Sequence, residues 1–222
     1  MNTSPKSIED ARRLFPATEK LAYFNTAAVS LGSTILSDAY SEFIADWTKS
    51  GLNFIRAEQA GENARNAFAK IIGAKAEDIA LIPSVSSAAG LIASQFSKAE
   101  RGENIVIGER EYSSNHFPWW MLERKGYEIR QTPFRNGGLE PNDIEELSDY
   151  GTKLIAFSAV QTASGHRSDI SSIAEIACKV EAMTFVDGAQ MAGALSIAPY
   201  LDKIDVFATS DHKFLLNAAR GM

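Results

Sequence analysis

Four short segments of this chain place polar or ionisable residues just after compact apolar runs, and each suits a different piece of chemistry. The first is Val186-Asp187-Gly188-Ala189-Gln190. A carboxylate that closes a buried strand costs free energy unless it is paired. A protonated pyridine nitrogen is one partner, and that pairing turns a heterocycle into an electron sink; a cap for a following helix is the plainer use of such an Asp. The second is Thr209-Ser210-Asp211-His212-Lys213. A lysine there can form a Schiff base if burial or cationic neighbours lower its proton affinity, although most lysines are solvated surface groups. The hydroxyls of Thr209 and Ser210 beside it suit a phosphate. The third, Ser84-Val85-Ser86-Ser87-Ala88-Ala89-Gly90, lies where a helix should begin, and reads as an anion site or as an ordinary serine cap. The fourth, Glu111-Tyr112-Ser113-Ser114-Asn115, precedes Phe117, Trp119 and Trp120. Tyr112 could stack on a flat ring, or belong to a plain aromatic core.

These segments need elements to hold them. Leu36, Ala39, Tyr40, Phe43, Ile44 and Trp47 recur with helical period after the candidate cap Ser33. Ala64, Phe68, Ile71 and Ile72 do so before Gly73, a natural C-terminal glycine. Ile173, Ile176, Ala177 and Val180 form a third stripe, on a helix expected to start near Ser171. Short apolar runs at Ile79–Ile82, Ile105–Ile107, Leu154–Phe157, Thr184–Val186 and Val206–Ala208 read as buried parallel strands. Alternating strands and helices predict an α/β fold, a mostly parallel sheet with helices on both faces, with ligands at the C-terminal strand ends.

Composition narrows the rest. The chain has 222 residues, 45% hydrophobic and 23% charged, as expected of a globular domain. A net charge of -6 with no basic run argues against a nucleic-acid partner. No apolar stretch is long enough to cross a bilayer and the N-terminus has no signal-peptide core, so a cytoplasmic location and no membrane partner are expected. The single cysteine, Cys178, excludes an internal disulfide framework. It falls one position beyond the third stripe and reads as structural, because a reactive thiolate needs an exposed, activated setting. His116 and His166 have no carboxylate or cysteine at ligand spacing, so no metal site is expected. The glycine fingerprint of nicotinamide-binding domains is missing after the first strand.

Taken together, the order and spacing of these segments resemble the class V aminotransferase family of pyridoxal-phosphate enzymes, which includes cysteine desulfurases and isopenicillin-N-epimerase-like proteins. Tyr23-Phe24-Asn25-Thr26-Ala27-Ala28 is similar to the family's N-terminal segment, Asp187-Gly188-Ala189-Gln190 to its D-G-A-Q, and Asp211-His212-Lys213 to its S-(G/D)-H-K. The gap between that Asp and that Lys also has the family's length. The resemblance implies a fold type I PLP-dependent transferase-like large domain over residues 31–222, with residues 1–30 as an N-terminal segment. The C-terminal small domain, which supplies a substrate-binding arginine in the family, is expected to be absent from this chain.

The resemblance also implies roles. Lys213 would carry pyridoxal 5'-phosphate as a Schiff base and shuttle protons at the α-carbon of an amino-acid substrate. Asp187 would pair with the pyridine nitrogen and Gln190 with the ring's phenolic oxygen. Ser86, Ser87, Ser210 and His212 would surround the phosphate. Tyr112 stands where many relatives have a ring-stacking histidine, a departure that favours the aminotransferase or epimerase-like branch over the desulfurases. One of Gln161 and Thr162 would contact the ring. A homodimer follows from the family's shared active sites. The alternatives are a desulfurase or other lyase of the same family, or a fold that has lost turnover.

Overall fold

A computed structural model describes residues 5–217. Five strands form one sheet: β1 (Asn104–Gly108), β2 (Glu128–Thr132), β3 (Thr152–Ser158), β4 (Met183–Asp187) and β5 (Val206–Ala208). Their order is β2-β1-β3-β4-β5, and every neighbouring pair is parallel.

Both faces of the sheet are covered, which is why its strands read as continuous apolar runs. Side chains still alternate by position. Val106, Ile155, Phe157 and Val186 enter one core, with Ile144, Ile170, Ile173 and Ile176. Ile105, Ile107, Leu154, Ala156 and Phe185 enter the other, with Ala89 and Trp119. The helices that supply these partners are α4 (Val85–Gln95), α5 (Phe117–Trp120), α6 (Pro141–Leu147) and α7 (Ile170–Lys179). Three more precede them: α1 (Ile8–Arg13), α2 (Thr34–Ser50) and α3 (Phe54–Ile72).

The expected caps form. Ser33 Oγ accepts the Leu36 N–H at the start of α2. Gly73 ends α3 at φ +82°, the left-handed region that glycine enters without penalty. Asp169 caps α7, which begins at Ile170, one residue before the expected start.

Two expectations fail and one strand is unexpected, each for a physical reason. Ile79–Ile82 is not a strand. Ile79 and Ile82 instead pack against the two different cores from a segment that pairs with nothing in the sheet. Conversely, Glu128–Thr132 is the edge strand β2, and its polar Glu, Arg and Gln hide it from an apolar-run criterion. The stripe on α2 does not become core: no α2 residue is buried, and Phe43, Ile44 and Trp47 are 45%, 55% and 56% exposed.

Candidate active site

The chemically distinctive residues gather where β1, β3, β4 and β5 end. Asp187 is the last residue of β4 and is buried. Gly188 makes its position possible. A Cβ there would lie 2.0 Å from the Phe207 ring, so only glycine lets the chain turn so tightly beside β5. The Gly188 N–H donates to the Ala208 carbonyl at 2.7 Å, tying the turn to that strand.

The Asp187 carboxylate receives one hydrogen-bond donor among the described residues, the Ala189 N–H at 2.9 Å. Burial pushes its carboxyl up from 3.8 to about 6. The Ala189 donor pulls down, repulsion from Glu111 adds to the rise, and attraction to Lys213 opposes it. A buried carboxyl with so few donors has unused capacity to accept a hydrogen bond from a cationic donor.

Lys213 follows β5 and is buried, 8% exposed. Its ammonium lies 5.6 Å from the centre of the Tyr112 ring, on the face that attracts cations. Tyr112, on the loop after β1, is 40% exposed, so its ring is accessible to a ligand.

The other candidate residues are held in different ways. Ser84 caps α4 by accepting the Ser87 N–H at 3.1 Å, with its hydroxyl 3.0 Å from that of Ser87. The plain serine cap is therefore realised, and it leaves Ser86 exposed on the first turn, where its hydroxyl donates to Ser114 at 2.9 Å. That contact joins the start of α4 to the Tyr112 loop. Gln190 is buried and donates to the Ala27 carbonyl at 3.1 Å, so it holds the N-terminal segment against the site. The Ser30 N–H adds a second tie, to the His212 carbonyl at 2.8 Å. His212 and Ser210 are half-buried.

On the loop after β3 the two candidates separate: Gln161 is buried and donates to Glu111, whereas Thr162 is exposed. Thr162 and Ser210 make no side-chain hydrogen bond to another described residue. Cys178 corrects an expectation, since it is exposed rather than packed. It lies at the end of α7 that leads into β4, at the opposite end of the sheet from Asp187.

One important residue is not evident from the sequence. Glu111 stands there only as the head of the Tyr112 segment, yet it is buried and joins the loops after β1 and β3. A charged residue among Glu109, Arg110 and Glu111 looks like solvated surface, and only the register of the sheet reveals that it turns inward.

Residues 22–222 match the family described as Aminotransferase class-V. The chain belongs to the class-V aminotransferase family. A probable cysteine desulfurase of Methanothermobacter thermautotrophicus is 26% identical over 92% of this chain and 52% of the relative. The apo structure of a cysteine desulfurase from Thermococcus onnurineus superposes with a TM-score of 0.78 at 26% identity, covering 96% of this chain and 55% of that one. A C-DES mutant with glycine covalently linked to its PLP cofactor shares the fold, with a TM-score of 0.84 at 18% identity over 94% of this chain and 57% of that one. The fold is thus the large domain of a PLP-dependent transferase-like protein, and the chain spans about half the length of the curated relatives it matches.

Proposed function

We propose that this chain is the cofactor-binding part of a pyridoxal-phosphate enzyme acting at the α-carbon of an amino acid, by transamination or a related reaction. The observation that carries this reading is the buried Asp187 carboxyl. It has one donor among the described residues, is pushed up to about 6, and is attracted by the buried Lys213 amine. A pyridinium nitrogen answers that carboxyl, and the site's donor set fits the cofactor.

When bound, the cofactor supplies an electron sink for the electrons of a bond broken at the substrate's α-carbon. This chain's residues do the rest. Asp187 keeps the ring nitrogen protonated by offering it an anion in a place that water does not reach. Lys213 would hold the cofactor through its ε-nitrogen, and its amine would serve as base and acid for a proton at the substrate's α-carbon. Tyr112 would stack on the ring. Gln190 has a second amide hydrogen beyond the one given to Ala27, and that hydrogen suits the phenolic oxygen. The hydroxyls of Ser86, Ser87 and Ser210, with His212, form the phosphate end, where the N-terminus of α4 adds unpaired N–H groups. Of Gln161 and Thr162, we take Thr162 as the ring contact, because Gln161 is engaged with Glu111.

A desulfurase reading is favoured by the names of the relatives. Its thiol would not be Cys178, which lies at the wrong end of the sheet. Residues 31–222 are proposed as the large domain and 1–30 as an N-terminal segment. Among the described residues no helix is long and apolar enough to cross a membrane. We propose a cytoplasmic homodimer with no nucleic-acid or membrane partner.

The test is reductive trapping. The purified chain is incubated with pyridoxal phosphate, treated with borohydride and mapped by peptide mass spectrometry, with Lys213→Ala as control. A pyridoxyl group on Lys213, lost in the variant, is expected. Label on another lysine, or none on folded protein, would overturn the assignment.

A further inference from the structure

Glu111 has no part in the chemistry proposed above, yet it is the most heavily hydrogen-bonded carboxylate among the described residues. It follows β1 by three residues and folds back over the strand end. A Cβ on Gly108 would stand 3.0 Å from Glu111 Cγ and Oε1, so the glycine leaves room for this return. Four donors meet the carboxylate. Oε1 accepts the Ser158 N–H at 3.0 Å and the Gln161 amide at 2.8 Å. Oε2 accepts the Asn115 amide at 3.1 Å and the Ser158 hydroxyl.

Two of these donors cannot reverse their roles. A backbone N–H only donates. The Asn115 amide is oriented by the Trp119 indole, which donates to Asn115 Oδ1 at 2.9 Å and leaves the NH2 group toward Glu111. One fixed donor therefore faces each carboxylate oxygen, which suits the ionised form and leaves a glutamine at this position with an NH2 group facing a donor.

Ser158 closes β3 and pairs in register with Asp187, which closes β4. The charged groups that act on Asp187 are Glu111, from the loop after β1, and Lys213, from the segment after β5.

We propose that Glu111 is a positioning residue: its carboxylate clamps the loop carrying Tyr112 to the loop carrying Gln161 and Thr162, anchored on the strand position next to Asp187. The clamp is a property of the chain alone; only its use in holding the faces of a cofactor rests on the function proposed above. The negative charge has a second effect, because it repels ionised Asp187 and strengthens that residue's hold on a proton. Burial pushes Glu111 itself upward against the pull of its four donors.

The test uses the full chain without cofactor. Glu111→Gln keeps the shape and removes the charge. Amide exchange is followed by mass spectrometry, and the Asp187 carboxyl is titrated by carbon-13 NMR, with Asp187→Asn assigning its signal. Exchange should rise about tenfold in both residues 111–115 and residues 159–166. The Asp187 midpoint should fall by about half a pH unit or more, a response that loosened packing alone does not produce. Exchange unchanged in the loop after β3, or a midpoint that stays put, overturns the proposal. If the variant does not fold, the wild-type chain decides: the Glu111 carboxyl signal at pH 7.5 must be that of a carboxylate, and a protonated carboxyl refutes the clamp. Both effects in a chain that binds no pyridoxal phosphate would keep this inference and defeat the functional reading.

Discussion

Asp187 should destabilise the cofactor-free fold at neutral pH, and Asp187→Asn should relieve it. The folded carboxyl is raised from 3.8 to about 6, so the folded state holds the proton more tightly than the unfolded chain. The sign follows from this difference. Below pH 3.8 both states are protonated and there is no cost. As pH rises toward 6 the unfolded chain gives up its proton first, and stability falls; above 6 the cost is constant. At about 1.4 kcal/mol per pH unit the full cost is about 3 kcal/mol. At pH 4.5 it is about 1 kcal/mol by the same linkage. Asparagine can still accept the Ala189 N–H through its carbonyl oxygen and carries no charge. Asp187→Asn should therefore melt about 6–12 °C above the wild-type chain at pH 7.5, given about 2–4 °C per kcal/mol for a chain of this size. The gap should shrink to about a third at pH 4.5. Scanning calorimetry across that range checks it. Equal melting temperatures at pH 7.5, or a gap that does not change with pH, would refute the claim that burial strains this carboxyl.

Two packing predictions accompany this one. Gly188→Ala places a Cβ 2.0 Å from the Phe207 ring and should cost about 1–3 kcal/mol in urea unfolding, with much of that returned by adding Phe207→Leu; a neutral Gly188→Ala would mean that the turn has more room than the structure gives it. Trp119→Phe removes the donor to Asn115 Oδ1 and should cost about 1–3 kcal/mol by the same assay, because a buried acceptor loses its partner.

The central strands were legible because burial on both faces makes their apolar runs continuous, as in Leu154–Phe157 and Thr184–Val186. The capped helix ends at Ser33 and Gly73 were legible for local reasons, since a cap is decided by a few neighbouring residues. What stayed hidden depends on pairing. Glu128–Thr132 is a strand because β1 offers it an edge, not because its residues prefer one. Ile79–Ile82 has strand composition but no neighbour to bond with. Asp187 and Lys213 stood out because their residue types are costly at a strand end. Glu111 did not, because its role is set by Ser158 and Gln161, 47 and 50 residues away in the chain.

The bare surface of α2 bears on how the molecule breathes. A 17-residue helix with no buried side chain is held by its own backbone, its Ser33 cap, the Thr34 N–H bond to the Leu14 carbonyl and the Arg56 guanidinium of α3, which pairs with Glu42 and Asp46. Most helical stability in proteins comes from packing of an apolar face, and α2 has little of that packing. Opening α2 exposes little new surface, so the free energy of that opening should scarcely depend on denaturant, whereas opening the sheet exposes both cores at once. The chain thus combines a segment that frays with little solvent penalty and a rigid five-stranded block, and the block is the part that carries Asp187.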